Sequence, residues 1–335
     1  MNPAVPAEPA PDSEILDLGE FDPEQWNDYA RAQGWSDGLP LAIPTEAAVE
    51  RFVAFCQGDN EPIPPMSPRR VIPTLPVLAA NAVMAGCRPE YFPVILAAVR
   101  AVLTSEYNLH GTLATTHPCA PVLLLNGPAR KSLDVNCSSN CFGQGWQANA
   151  TIGRALQLIL LNLGGAKPGV MDRSTQGSPA KYSFCFGENE EESPWEPYHV
   201  RRGFAADDSV VTALPGEAPH NINDHASTSG KGILTTISGT ISQPGANTIY
   251  CNAPIFIVLG PEHAQTLHRD GWSIADMQED LYVRSRVHIS RVSVENQESY
   301  ASMDRPIIDD HYPMTPSPQD IHILVAGGPG KHSAY

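Results

Sequence analysis

Ile255-Phe-Ile-Val-Leu-Gly-Pro-Glu-His-Ala-Gln-Thr-Leu-His-Arg-Asp270 joins two patterns without a linker. A short apolar run rich in β-branched residues ends at Gly260. Pro261 then takes the first position of a helix that Gly271 closes. A strand that feeds directly into a helix is the unit of an α/β protein. Working outward, Trp272-Ser273 restarts a helix through Arg286, with Ser273 as cap and Asp276 three residues on. Ile321-His-Ile-Leu-Val-Ala326 predicts a last strand. Upstream, Pro121-Val-Leu-Leu-Leu-Asn126 reads as a buried strand before an Asn-Gly-Pro turn. Residues 149–163 read as a helix with its apolar face at Ile152, Leu156, Ile159, Leu160 and Leu163, ended by Gly164-Gly165. Residues 182–186 and 209–214 have strand character, and residues 232–241 fit either helix or strand.

Nearer the N-terminus, Asp22-Pro23 and Thr45 mark two helix starts. Residues 75–85 and 89–104 have helical spacing. The expected fold class is α/β, a mixed sheet with flanking helices, preceded by a Pro-rich, partly disordered N-terminal arm. The expected boundaries are an arm over 1–20, a helical and Pro-rich segment over 21–76, and a main α/β catalytic region over 77–335. That region divides into two subdomains if the chain breaks near 205–218.

The chain has 335 residues, with Lys+Arg 21 against Asp+Glu 37 and a net charge of −16. No run of Lys or Arg interrupts this acidity, so nucleic acid is excluded as a partner. The first residues show neither a basic n-region nor an apolar h-region. The longest apolar run, residues 155–163, falls well short of the ~20 residues of a membrane span. A cytoplasmic protein with no membrane partner is expected. Seven cysteines, an odd number without a secretion signal, argue against a disulfide scaffold.

The chemistry-bearing residues fall in loops. Asp134-Val-Asn-Cys-Ser-Ser-Asn-Cys-Phe-Gly-Gln-Gly145 places Cys137 and Cys141 ahead of a helix N-terminus, which favours thiolates and anions. Cys119 lies upstream beyond a predicted strand. Converging, Cys119, Cys137 and Cys141 would hold a metal ion or an iron–sulfur cluster with one open position. Read apart, Cys137 and Cys141 are redox or nucleophilic thiols, or small residues of a packed loop. His110 and His117 share one polar stretch, and His220 and His225 another, where Asn221, Asn223 and Asp224 are placed to orient imidazoles. These histidines act as general acid or base, or simply belong to hydrogen-bonded loops. Gly143, Gly145 and Asn149 open the helix that carries Arg154, a setting for a carboxylate or phosphate. The acidic run from Glu188 to Glu196 reads as a solvated loop, although Trp195 within it argues for packing. Gly327-Gly-Pro-Gly-Lys-His-Ser333 departs from a P-loop, with Val325 in place of its first glycine and His332 after Lys331.

Six stretches carry a family resemblance: Ala80-Asn-Ala-Val-Met-Ala-Gly-Cys-Arg-Pro-Glu-Tyr91, Ala114-Thr-Thr-His-Pro118, Ala148-Asn-Ala-Thr-Ile-Gly-Arg154, Ser193-Pro-Trp-Glu-Pro197, Pro219-His-Asn-Ile-Asn223 and Leu259-Gly-Pro-Glu-His-Ala264. Over about residues 34–333 the chain resembles a widespread, mostly uncharacterised bacterial family. That family is associated with small redox proteins bearing a (seleno)cysteine-Gly-Ser-Cys motif. The resemblance implies no assigned reaction. It implies that small residues are usual where this chain has Cys137 and Cys141, and that relatives continue beyond the glycine-rich stretch, with a partner chain expected to complete it.

Together these readings point to an enzyme, a lyase or hydro-lyase acting on a small polar or anionic substrate. Cys119, Cys137 and Cys141 are the metal ligands in this reading. Arg154 with Gly143, Gly145 and Asn149 bind the substrate or cofactor, and His117, His220 or His225 moves a proton. The alternatives are a thiol–disulfide redox module working with a partner protein, or a non-catalytic metal-binding subunit. A homo-oligomer, with or without a second protein subunit, is expected.

Overall fold

A computed structural model describes residues 8, 9, 15, 17, 19 and 22–335. The arm expected to be disordered over 1–20 therefore lies largely outside the described residues. The chain forms two compact units, each assembled from separated segments. The first comprises the described residues up to Asn136, then Cys141–Gly187 and Asp207–Ala218. The second comprises Cys137–Asn140, Glu188–Ala206 and Pro219–Tyr335.

In the first unit β1 (Glu8–Pro9) runs parallel to β2 (Val71–Ile72). Helix α1 (Pro23–Ala32) starts as its Asp-Pro sequence predicts. Asp22 accepts from the Gln25 N–H, and the Gln25 side chain returns a bond to the Asp22 backbone. Thr45 caps α2 (Glu46–Val53) by accepting from the Ala48 N–H, without a reciprocal bond. Residues 22–76 do not stand apart, because Trp26, Phe52 and Met66 are buried in the same core as α3 (Leu75–Met84) and α4 (Phe92–Val102). The short α5 (Leu109–Leu113) leads towards β3 (Ala120–Asn126). All of β3 is buried. It lies between β4 (Cys185–Gly187), which is parallel to it, and β5 (Val210–Gly216), which is antiparallel. A strand covered on both faces has no polar side, and this is why its sequence is a continuous apolar run. After the single turn α6 (Ala129–Ser132), α7 (Gln147–Ile159) packs on α3, α4 and β3. It ends in a π turn, Leu160–Gly164, terminated by Gly165 at φ +80°.

In the second unit α8 (Tyr198–Arg201) precedes a four-stranded mixed sheet in the order β10-β7-β11-β6. Its strands are β6 (Asn221–Asn223), β7 (Ile255–Leu259), β10 (Ile321–Val325) and β11 (His332–Ala334). β7 and β10 are parallel in full register, and β11 is antiparallel to β6 and to the end of β7. The ambiguous residues 232–241 belong to a helix, α9 (Gly230–Ile241). Ser229 caps it, and Ile233, Leu234, Ile237 and Ile241 form its buried side. The small α10 (Asn247–Cys251) precedes β7, and α11 (Pro261–Arg269) follows it. Helix α12 (Ile274–Arg284) has the capping box between Ser273 and Asp276. It stops short of the expected Arg286, which instead opens β8 (Arg286–His288), paired antiparallel with β9 (His311–Pro313). Between them lies α13 (Val294–Ser302).

Candidate functional sites

In the first unit the polar stretch after α5 brings His117 and Cys119 together as the chain straightens into β3. Ala120 pairs with Gly216 across the ladder, so Glu217 arrives from β5 at the same end. His117 Nε2 lies 2.6 Å from Glu217 Oε1. Hydrogen bonds to the Cys119 thiol and then to Glu217 raise the His117 imidazole to about 9, against opposing burial. The same contact holds the Glu217 carboxyl below its ordinary value. The thiol donates to the Thr112 carbonyl at 3.4 Å, and Cys119 as a residue is 7% exposed. Tyr107 adds a buried hydroxyl with no hydrogen-bond partner among the described residues. Burial, reinforced by the charge of Cys119, raises its phenol. The backbone beneath His117 is fixed. Ser174 donates to its carbonyl at 2.9 Å, and Ser174 is in turn held by Asp172, which pairs with Lys181 at 2.6 Å. Burial opposes ionisation of Asp172, but the Lys181 and Ser174 hydrogen bonds prevail and keep its carboxyl low.

In the second unit the β6–β11 ladder gathers histidines. His332 Nδ1 lies 3.0 Å from Asn221 Oδ1, and His332 Nε2 lies 3.0 Å from His225 Nε2. Lys331 donates to the His225 carbonyl at 3.2 Å. One residue further along β11, buried Ser333 lies 2.8 Å from His263 Nδ1, whose Nε2 faces the Asp224 carbonyl at 3.1 Å. Burial lowers His263, whose Nε2 donates to the Asp224 carbonyl. The Asp224 carboxylate accepts from Thr236 at 2.6 Å and from the Ser227 N–H at 2.9 Å.

A cleft of about 350 Å³ opens in this unit where the chain leaves β7 and β10. It is lined by Pro261, Glu262 and Gln265 of α11, by Gly327 and Gly328, and by Asn189 and Glu192. The carboxyl ends of parallel strands are the usual place for such a crevice. Gly328 is required there, because a Cβ at this position would lie 1.9 Å from Ser139 Oγ. The acidic run is more buried than its composition predicts. Glu188 is fully buried and accepts from the Tyr198 N–H at 2.7 Å. The Trp195 indole donates to the Trp272 carbonyl. Buried His199 lies beside Glu190, with 4.0 Å between Nδ1 and Oε1.

The remaining sequence candidates have structural duties or stand alone. Arg154 is clasped by Asp37 at 2.8 and 2.9 Å and donates to the Pro40 carbonyl, so its guanidinium is committed within the fold. Asn149 is buried. It accepts from the Asn136 N–H and donates to the Asn136 and Cys141 carbonyls. Gly143 and Gly145 are exposed ahead of α7, whose N-cap, Trp146, makes no side-chain capping bond. His110 is exposed on α5. His220 shares two backbone hydrogen bonds with Tyr335 and packs edge-on against its ring. Cys141 is buried in the first unit. Cys137 is half-buried in the second, where its carbonyl accepts from the Gly327 N–H. Among the described residues no group of three or more His, Cys, Asp or Glu side chains is placed to hold a metal ion, so the expected three-cysteine site finds no support in the geometry.

The sequence reading had missed Glu217, Tyr107, His263, His332 and Ser333. Glu217 and His332 reach their partners only through ladder register, which no local pattern in the chain encodes. No helix of the described residues is long and apolar enough to cross a membrane. Comparison with protein-family models, with curated proteins and with solved structures finds no match.

Proposed function

We propose that this chain is a thiol-dependent enzyme acting on a small polar substrate, with Cys119 as nucleophile. The observation that carries the reading is His117, which contacts the Cys119 thiol and the Glu217 carboxylate together. A thiol with an imidazole beside it, itself oriented by a third group, is the recurring arrangement of covalent cysteine catalysis. The protonated His117 holds the charge of the sulfur as it bonds, as thiolate, to an electrophilic carbonyl or imidoyl carbon, and it then gives its proton to the leaving group. Water or a second substrate releases the adduct and hands a proton back to the ring. Glu217 holds the ring and stabilises its charged form. The Tyr107 hydroxyl is a donor for the negative charge that develops on the substrate.

Peptide-resolved alkylation with iodoacetamide at pH 7 tests this reading. Cys119 is expected to react at least about tenfold faster than buried Cys185, and His117→Gln to slow it by at least about tenfold. Glu217→Gln is expected to have a smaller effect in the same direction. An unchanged rate in His117→Gln, or a Cys119 as inert as Cys185, rules the reading out.

A further inference from the structure

We propose that His225 and His332 form a binding site for a late first-row divalent cation, separate from the thiol array. Both imidazoles are exposed, and their Nε2 atoms face each other at 3.0 Å. With metal–nitrogen bonds of ~2.0–2.1 Å, that span corresponds to a nitrogen–metal–nitrogen angle of about 90°, the angle of adjacent ligands in a square or octahedral shell. The ring planes are inclined at 79°, and the ring centroids lie 4.9 Å apart, so the pair is neither stacked nor splayed.

The outer contacts select the right nitrogen. Asn221 Oδ1 accepts from His332 Nδ1–H, which fixes the tautomer and leaves the Nε2 lone pair directed at His225. A hydrogen-bonded carbonyl on the far nitrogen is the usual support of a ligating histidine. Both residues of this half are set by the ladder, since His332 pairs with Asn223 and Ala334 with Asn221 on the neighbouring strand. A cation replaces the hydrogen bond between the two Nε2 atoms, with His225 moving its proton to Nδ1. Two protein ligands leave the other positions to water or to oxygen donors of a ligand, so a site of modest affinity is expected. Imidazole donors favour nickel, copper, cobalt or zinc over magnesium or calcium. The Lys331 ammonium is turned to the His225 carbonyl, and its charge opposes the ion.

Titration of the full chain with Co²⁺ alone, followed by visible absorption and isothermal calorimetry, is the test. One ion per chain is expected, with at least tenfold weaker binding in His225→Gln and in His332→Gln. Asn221→Ala weakens binding several-fold, Lys331→Met strengthens it, and Mg²⁺ does not compete. Circular dichroism of each variant separates lost binding from lost fold. Cys119→Ser leaves the titration unchanged, so failure of the thiol reading and failure of this one are distinguishable. No binding at millimolar Co²⁺, binding indifferent to both histidines, or binding lost with Cys119 overturns the proposal.

Discussion

At the scale of the residue, His117 shows how environment sets chemistry. Its ordinary value of 6.5 rises to about 9 through the Cys119 and Glu217 contacts. A raised histidine stabilises the fold fully below 6.5, and that contribution is lost as pH rises through about 9. Glu217 works in the opposite sense. Its carboxyl is lowered from 4.5, so its contribution is present above that value and is lost as pH falls through the lowered one. The stability difference between the native chain and His117→Gln, read from urea midpoints, should therefore be largest between about pH 4.5 and 6.5 and shrink towards pH 10. A difference that stays constant over that range would remove the ionic contact from the account. Arg154 teaches the converse. A cation on the helix that follows a glycine-rich loop invites a ligand on paper, but its bidentate bond to Asp37 commits the fork to a loop far away in sequence.

At the scale of the element, what could be read from the chain was local. Asp22, Thr45 and Ser273 announce their helices because capping chemistry involves residues three apart. β3, β7 and β10 are apolar runs bounded by turn residues, and they were legible for that reason. β6 and β11 are three residues each and too polar to stand out. They exist because Ser333 and its neighbours find partners elsewhere in the unit. Gly260 donates to Ser333 Oγ at 3.2 Å, and a Cβ at Gly260 would lie 2.2 Å from the His332 carbonyl oxygen. Gly260→Ala should cost about 3 kcal/mol by forcing β11 off β7. Ser333→Ala should cost about 2 kcal/mol by removing the partner of the Gly260 N–H and of His263 Nδ1. Chemical denaturation measures both, and a loss below ~0.5 kcal/mol in each would show that this seam is not what holds the strand.

At the scale of the whole molecule, the α/β class followed from alternating strands and helices, and the mixed sheets bear it out. The segment boundaries had no such signature. Two units interleaved along one chain leave no composition shift at their joins. The site shared this fate, since His117 and Cys119 are neighbours in sequence while Glu217 is a hundred residues from His117. Hydrogen exchange should locate the two cores directly. The slowest amides are expected in β3, and separately in β7, because each is flanked by strands on both sides. Slow exchange confined to one of the two would show that the other core is not independently closed.

The interleaving also bears on how the chain is made. A ribosome releases β3 long before Val210–Gly216, the strand that will cover its antiparallel edge. Until then that edge is an open template for other strands. The second unit waits longer still, for β7 pairs with β11, which follows it by more than seventy residues. Neither unit is one continuous stretch of chain. Stalled or shortened chains would thus present unpaired apolar strands, which makes chaperone capture during synthesis a consequence of the topology itself.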